Sequence, residues 1–186
     1  MNTLWLDLLN SDYHDYKGGG KDEDRLENPQ WLGKFLNYWK NIQIQSNSRL
    51  MIDQLKDLRS LIGKIVEKFR LGEEIQKTDL NSLNKILAKS PIVYRVENTD
   101  REYSITQYSI NPGIESILTD IASSFAEILV RGEAKRIKIC ENKDCRWIFY
   151  DLSKNRSRKW CESASSCGNL MKVRRFRERN KNNNSE

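Results

Sequence analysis

Along the first 130 residues, apolar side chains recur at spacings of three and four, the period of helices that bury one face. Leu4, Trp5, Leu6, Leu8 and Leu9 open the chain as a short apolar segment that suits either a buried strand or a helical turn. Residues 11–28 carry Lys17-Gly18-Gly19-Gly20-Lys21 and a run of acids, a composition that predicts a mobile loop. Asn28-Pro29 then starts a helix, with the proline in the first turn where its missing N–H is not needed. Trp31, Leu32, Phe35, Leu36 and Trp39 form its apolar face. A longer helix is predicted from about Ser48 to Leu71, with Leu50, Met51, Leu55, Leu58, Ile62, Ile65, Val66 and Phe69 inward and Gly72 as the stop. Thr78 or Asp79 caps a shorter helix bearing Leu80, Leu83 and Leu87, which Pro91 ends.

The pattern then changes. Ile92-Val93-Tyr94-Arg95-Val96 and Tyr103-Ser104-Ile105-Thr106 are β-rich runs around Glu97-Asn98-Thr99-Asp100, which predicts a hairpin over 92–107. Asn111-Pro112 starts another helix, with Ile114, Ile117, Leu118, Ile121, Phe125, Ile128 and Leu129 inward. Helices and hairpin are expected to enclose one core, which explains Trp31 and Trp39 by packing before any ligand cage. Asn180 to Glu186 is polar and expected to fray.

Charge divides the chain where the apolar pattern fades. Residues 1–130 carry 16 Lys+Arg against 19 Asp+Glu, and residues 131–186 carry 16 against 7, balances of −3 and +9 within a net +6. A basic tail on a mildly acidic body places any polyanion-binding surface at the C-terminal end. The N-terminus has no basic flank and meets Asp7 at once, unlike a signal peptide, so a cytoplasmic protein without a membrane partner is expected.

All four cysteines fall in this tail: Cys140-x4-Cys145, fifteen intervening residues, then Cys161-x5-Cys167. Two close thiol pairs separated by a loop match the way one zinc ion is held tetrahedrally. Two disulfides or four unrelated thiols are the competing readings. Disulfides need an oxidising compartment, and unrelated thiols would not gather in one segment. Four cysteines close the metal's shell, so the expected Zn2+ is single and structural. Between the pairs, residues 146–160 read as a strand, a polar turn and a return strand. Cys167 then opens a helix with Val173 and Phe176 as its apolar contacts, a treble-clef-like arrangement. Lys172, Arg174, Arg175, Arg177 and Arg179 make that helix cationic, and Arg156, Arg158 and Lys159 add charge in the turn before it. Such residues bind phosphates by releasing counterions, so nucleic acid is the expected partner. A solvated basic helix is the plainer reading.

These residues carry a resemblance. Cys140…Cys145, Phe149-Tyr-Asp151-Leu-Ser153-Lys-Asn155-Arg-Ser157-Arg158-Lys-Trp160-Cys161 and Cys167-Gly168-Asn169 resemble the CGNR zinc-finger proteins, which carry an N-terminal ABATE domain. Leu6-Asp7-Leu8-Leu9-Asn10-Ser11 looks like the family's opening, and Leu55-x-x-Leu58-Arg59 and Leu80-x-x-Leu83-Asn84 like its later pairs. The resemblance implies a bacterial transcription regulator, with the finger on DNA and the ABATE domain sensing a small-molecule effector. Two departures stand out: Leu170 replaces the motif arginine, and the second cysteine pair has five intervening residues where four are expected. The expected fold is thus α+β and mostly α. It comprises an ABATE-like helical domain with a small hairpin and a ligand pocket over 1–131, a zinc finger over 132–181, and a disordered tail over 182–186.

Catalysis finds little to stand on. His14 is the sole histidine and sits in the predicted loop, no phosphate-binding or hydrolase motif occurs, and Asp22, Glu23 and Asp24 read as a solvated run. No enzyme is expected. The alternative is a zinc-stabilised protein-interaction or RNA-binding module, for which Trp147, Ile148 and Phe149 would supply an apolar patch.

Overall fold

The computed structural model describes residues 3–39, 49–99, 102–111, 113–161 and 165–183. The opening segment resolves as a helix, α1 (Leu4–Leu9), with Leu4, Trp5, Leu8 and Leu9 buried. Asn28 caps α2 (Pro29–Leu36) by accepting from the Gln30 and Trp31 N–H groups, and Leu32, Phe35 and Leu36 are buried. Trp39 follows in a 3-10 turn, its side chain outside the described residues, as is the predicted helix start at Ser48. The long helix α3 (Arg49–Leu71) buries the predicted positions from Met51 to Val66. Leu50 is exposed instead and Ile52 takes its place. One residue of phase at a helix end is invisible to periodicity, because no turn beyond it fixes the face.

Gly72 ends α3 in the left-handed conformation, φ +73°. Its N–H donates to Phe69 O and that of Glu73 to Lys68 O, so two otherwise orphaned carbonyls are satisfied. In α4 (Lys77–Leu87) the N-cap is Gln76, whose N–H donates to the Asp79 carboxylate at 3.1 Å, so Asp79 sits inside the first turn rather than before it. Leu83 is buried there, whereas Leu80 is exposed. In α5 (Ile114–Val130) the predicted Ile117, Leu118, Ile121, Phe125 and Ile128 are buried and Ile114 and Leu129 half-buried; Pro112 lies outside the described residues. Helices α1, α3, α4 and α5 pack together, with Trp5 against Phe125 at a centroid distance of 5.4 Å and both rings wholly buried.

Among the described residues, three two-stranded antiparallel sheets complete the α+β fold. The first lies in the predicted mobile loop, where β1 (Asp12–Tyr13) pairs with β2 (Glu23–Asp24) and Leu26 is fully buried behind them. This loop is built rather than loose. Asp15 accepts from the Lys17 and Gly19 N–H groups, and a Cβ on Gly19 would meet its carboxylate at 2.7 Å. Arg59 of α3 grips it with two bonds to Asp24, at 2.7 and 2.8 Å, and a third to the Ser11 hydroxyl.

The second sheet joins β3 (Ile92–Thr99) to β4 (Glu102–Ser109) in the predicted hairpin, each strand longer than expected. Asp100, assigned to its turn, lies outside the described residues. The expectation that this hairpin shares the helical core fails, since Tyr94, Val96, Tyr103 and Ile105 are all exposed.

The third sheet pairs β5 (Ile137–Ile139) with β6 (Ile148–Tyr150). Its Ile137 and Tyr150 are buried in the same core as the helices, so the C-terminal module closes the body rather than hanging from it. The last helix, α6 (Ser165–Asn183), runs further than the predicted fraying at Asn180; residues 184–186 lie outside the described residues.

Candidate metal centre and nucleic-acid interface

Strand β5 delivers Cys140 and β6 begins just after Cys145, so the first cysteine pair sits on the bend of a hairpin. Within that bend the Cys145 and Arg146 N–H groups both donate to Asn142 O, and Cys140 N–H donates to Trp147 O. Arg146 takes a left-handed backbone, φ +51°, to complete the turn. A bond from Glu141 N–H to Lys159 O, 2.9 Å, draws the later loop alongside and brings up Cys161. Cys167 arrives from the first turn of α6, at the end where the helix dipole favours a thiolate.

All four sulfurs lie within 4.8 Å of one another, and all four cysteines are buried and free of disulfides. Cys145 and Cys161 are 3.7 Å apart, close to the ~3.8 Å edge of a tetrahedron with Zn–S bonds of about 2.3 Å. Donation from Cys145 and Cys161 pushes the Cys140 thiol's pKa down, and the same pairing with Cys140 pushes that of Cys145 up. One thiolate is therefore stabilised at the expense of its neighbour. Donor chemistry, spacing and burial fit one zinc ion.

The expected return strand between the cysteine pairs does not form. Strand β6 pairs upstream with β5, and residues 151–160 follow as a loop. Asp151, wholly buried, organises that loop by accepting from Ser153 N–H at 2.9 Å and Arg158 N–H at 3.0 Å. Burial raises its pKa, but these bonds outweigh burial and hold it below the usual carboxylate range. The Arg158 guanidinium lies over the Phe149 ring at 4.8 Å, and Phe149, Trp147 and Trp160 pack on the cysteine cluster. The run from Asp151 to Trp160 is thus a self-bonded loop around one buried carboxylate. Since Phe149 is buried and Trp147 and Ile148 are half-buried, the apolar docking patch anticipated there does not exist.

Two asparagines that the sequence reading left without a role join finger to body. Asn10, just past the end of α1, donates to Ile148 O at 2.9 Å and accepts from Ile148 N–H at 2.8 Å, pairing like a strand residue. Asn142, wholly buried between the first two cysteines, donates to Tyr16 O at 2.8 Å and lies 3.5 Å from the Cys167 sulfur. The only advance signal for Asn142 was its place inside the Cys140–Cys145 bend.

The predicted phosphate-binding residues divide by what they already hold. Arg174 is committed inward: it pairs with Asp144 at 2.7 Å and donates to Lys17 O at 3.3 Å, fastening α6 to the glycine loop. Arg158 is half-buried on Phe149 and donates to Trp160 O. Lys159 pairs with Glu141 at 3.5 Å across the surface. Arg156, Lys172, Arg175 and Arg177 are exposed, Arg175 with its guanidinium 5.7 Å from the Trp160 ring. Val173 and Phe176, expected to pack inward, are exposed; the helix instead turns Cys167, Gly168, Leu170, Met171 and Arg174 towards the finger. Leu170, in the motif arginine's place, is half-buried.

A cleft of about 680 Å³ separates the body from the bend, lined by Asp12, His14, Arg59, Glu67 and Arg70 on one side and Glu141 and Arg146 on the other. His14 sits there between Asp12 and Asp22, at 3.5 and 3.2 Å. Among the described residues, no helix is long and apolar enough to cross a membrane.

Fold and site together define a zinc-finger protein, a helical body with a four-cysteine finger docked on it. Residues 2–132 match the ABATE family model, described as "Putative stress-induced transcription regulator", and residues 136–180 match that of the CGNR zinc finger. The first match covers most of the chain: the protein belongs to the ABATE family and carries a CGNR zinc finger after that domain. The two family descriptions name a regulator of that kind and a zinc finger, and neither names an enzyme. No curated protein matches the chain.

Proposed function

We propose that this chain is a DNA-binding transcription regulator. In it, residues 132–181 form a treble-clef-like finger around one structural zinc, and residues 1–131 form the regulatory body. The supporting observation is the seat of α6. Its third residue, Cys167, is a candidate ligand, and Lys172, Arg175 and Arg177 stand exposed on the turns that follow. Cys140, Cys145, Cys161 and Cys167 would hold the metal, and the metal would keep helix and 151–160 loop in register. Arg156 and Lys159 extend the cationic surface from the loop, and phosphate contacts by such residues release counterions. Arg158 and Arg174 act as positioning residues, since the Arg158 guanidinium is engaged within the finger and that of Arg174 ties α6 to Asp144 and to Lys17 O of the glycine loop. Reduced, metal-bound thiols suit the bacterial cytoplasm. The cleft between body and bend is where we place a small-molecule effector. A polar ligand there would touch Arg59 and Arg146 together, and so both halves of the molecule.

Fluorescence anisotropy with labelled duplex DNA tests the reading. The zinc-loaded protein should bind, and chelation should abolish binding. No affinity for DNA or RNA even at low salt would give the finger to protein docking through exposed Val173 and Phe176. Binding that prefers RNA would move the proposal to that partner.

A further inference from the structure

The hairpin of β3 and β4 has the pattern of a half-buried sheet with, among the described residues, nothing on its buried side. Its register places Ile92, Tyr94, Val96, Asn98, Tyr103, Ile105, Gln107 and Ser109 on one face. The other face takes Val93, Thr99, Ser104, Thr106 and Tyr108 with Arg95, Glu97 and Glu102, the charged residues of both strands. Arg95 lies over Tyr108 there, its guanidinium 4.5 Å from the ring. Alternation of this kind specifies which face meets water and which is covered. Yet the uncharged face is bare. Ile92 is 42% exposed, Tyr94 69%, Val96 66%, Tyr103 77% and Ile105 69%. The hairpin is tied at its base by Ile110 N–H to Pro91 O and by the Ser90–Ser109 hydroxyl pair. An isolated two-stranded hairpin is at best marginally stable in water.

We propose that the uncharged face of this hairpin is a homodimer interface, covered by the same face of a second copy of the chain. Three features favour a second copy over another occupant. The face carries no charge, so two copies meet without repulsion and leave no buried ion unpaired. A polyanion is disfavoured for the same reason, since Arg95 points the other way and no other cation lies on these strands. The area also suffices: the five apolar residues expose roughly 700 Å² per copy, near the ~800 Å² per partner that a stable interface takes. A two-fold axis places each copy's patch on its twin, which a self-complementary patch permits and an asymmetric partner does not require. This inference is independent of DNA binding.

Sedimentation velocity on the full zinc-loaded chain at micromolar concentration tests it. The parent should run at twice the 21.9 kDa chain mass. Val96→Lys with Ile105→Lys, a directly opposed pair at the centre of the face, should run as a monomer, with helical circular dichroism and zinc content unchanged. Ser104→Lys with Thr106→Lys, on the opposite face, should remain dimeric and shows that the hairpin tolerates added lysines. A monomeric parent overturns the proposal. So does a dimer that the Val96/Ile105 pair leaves intact, or one that both lysine pairs disrupt alike.

Discussion

Around Trp5 and Phe125 the body is held by apolar side chains from four helices, with Leu8, Leu55, Ile62, Ile65 and Ile121 wholly buried. Around the four cysteines, the finger buries one large apolar side chain, Phe149, and relies on backbone bonds to Asp151 and Asn142. Each core residue of the body contributes about 1.5–3 kcal/mol by burial. The finger has no comparable reservoir among the described residues, and its four sulfurs lie within 4.8 Å of one another, where a metal ion can bind them together. One fold thus contains a region that packing sustains and a region that metal sustains. They are not separate, because β5 and β6 lie partly in the body's core and Asn10 and Asn142 bind across the junction.

The largest effect expected is from metal removal. Purified protein should hold one zinc per chain, and its extraction should withdraw on the order of 10 kcal/mol from the finger. Helical circular dichroism from α1 to α5 should survive, while hydrogen-exchange protection should fall both in the finger and in the docked loop around Asn142's partner Tyr16. Metal analysis finding no zinc, with mass spectrometry finding two disulfides, would remove the distinction between the regions. The reverse experiment is Phe125→Ala, which opens a cavity at the centre of the body. It should lower unfolding free energy by about 3–5 kcal/mol with zinc stoichiometry unchanged. Loss of zinc in parallel would mean that the two regions fold as one unit.

A smaller effect concerns the ion pairs that pin the glycine loop to α3. Burial would raise the Asp24 pKa, but hydrogen bonds from Arg59 and Lys56 dominate and lower it from 3.8 to about 2. A depressed carboxyl stabilises the fold fully above its unfolded value and loses that contribution as pH falls through the folded one. The pair should therefore contribute about 2 kcal/mol at neutral pH, declining from about pH 4 towards pH 2. Asp24→Asn should lower stability by about that amount and flatten this part of the pH profile, measured by urea unfolding. A parallel decline in the variant would assign the acid sensitivity to other groups.

Much of the body was legible because a repeat over several turns leaves one helical phase. It failed at Leu50 and Leu80, where a first turn has neighbours on only one side. The ligand set was legible from four cysteines in one segment. The partner of β6 was not, since pairing Ile148–Tyr150 with Ile137–Ile139 spans the bend that two of those cysteines make. The glycine loop read as mobile because its order comes from single bonds at Asp15, Asp24 and Arg59, which leave no periodic trace. Charge likewise could not separate Arg174 from Arg175. They are adjacent and identical, yet one is tied to Asp144 and the other stands on the surface.

That last pair offers the most direct measurement of the proposed function. Anisotropy titrations with duplex DNA across a range of salt should give a linear fall of log affinity with log salt for the parent. Lys172→Ala with Arg175→Ala should bind more weakly, with a slope reduced by about 1.8 units, one phosphate contact for each side chain. Arg174→Ala, with zinc retained, should leave the slope close to that of the parent. A double variant that matches the parent in affinity and slope at every salt concentration would contradict the assignment of α6 as the DNA-binding surface.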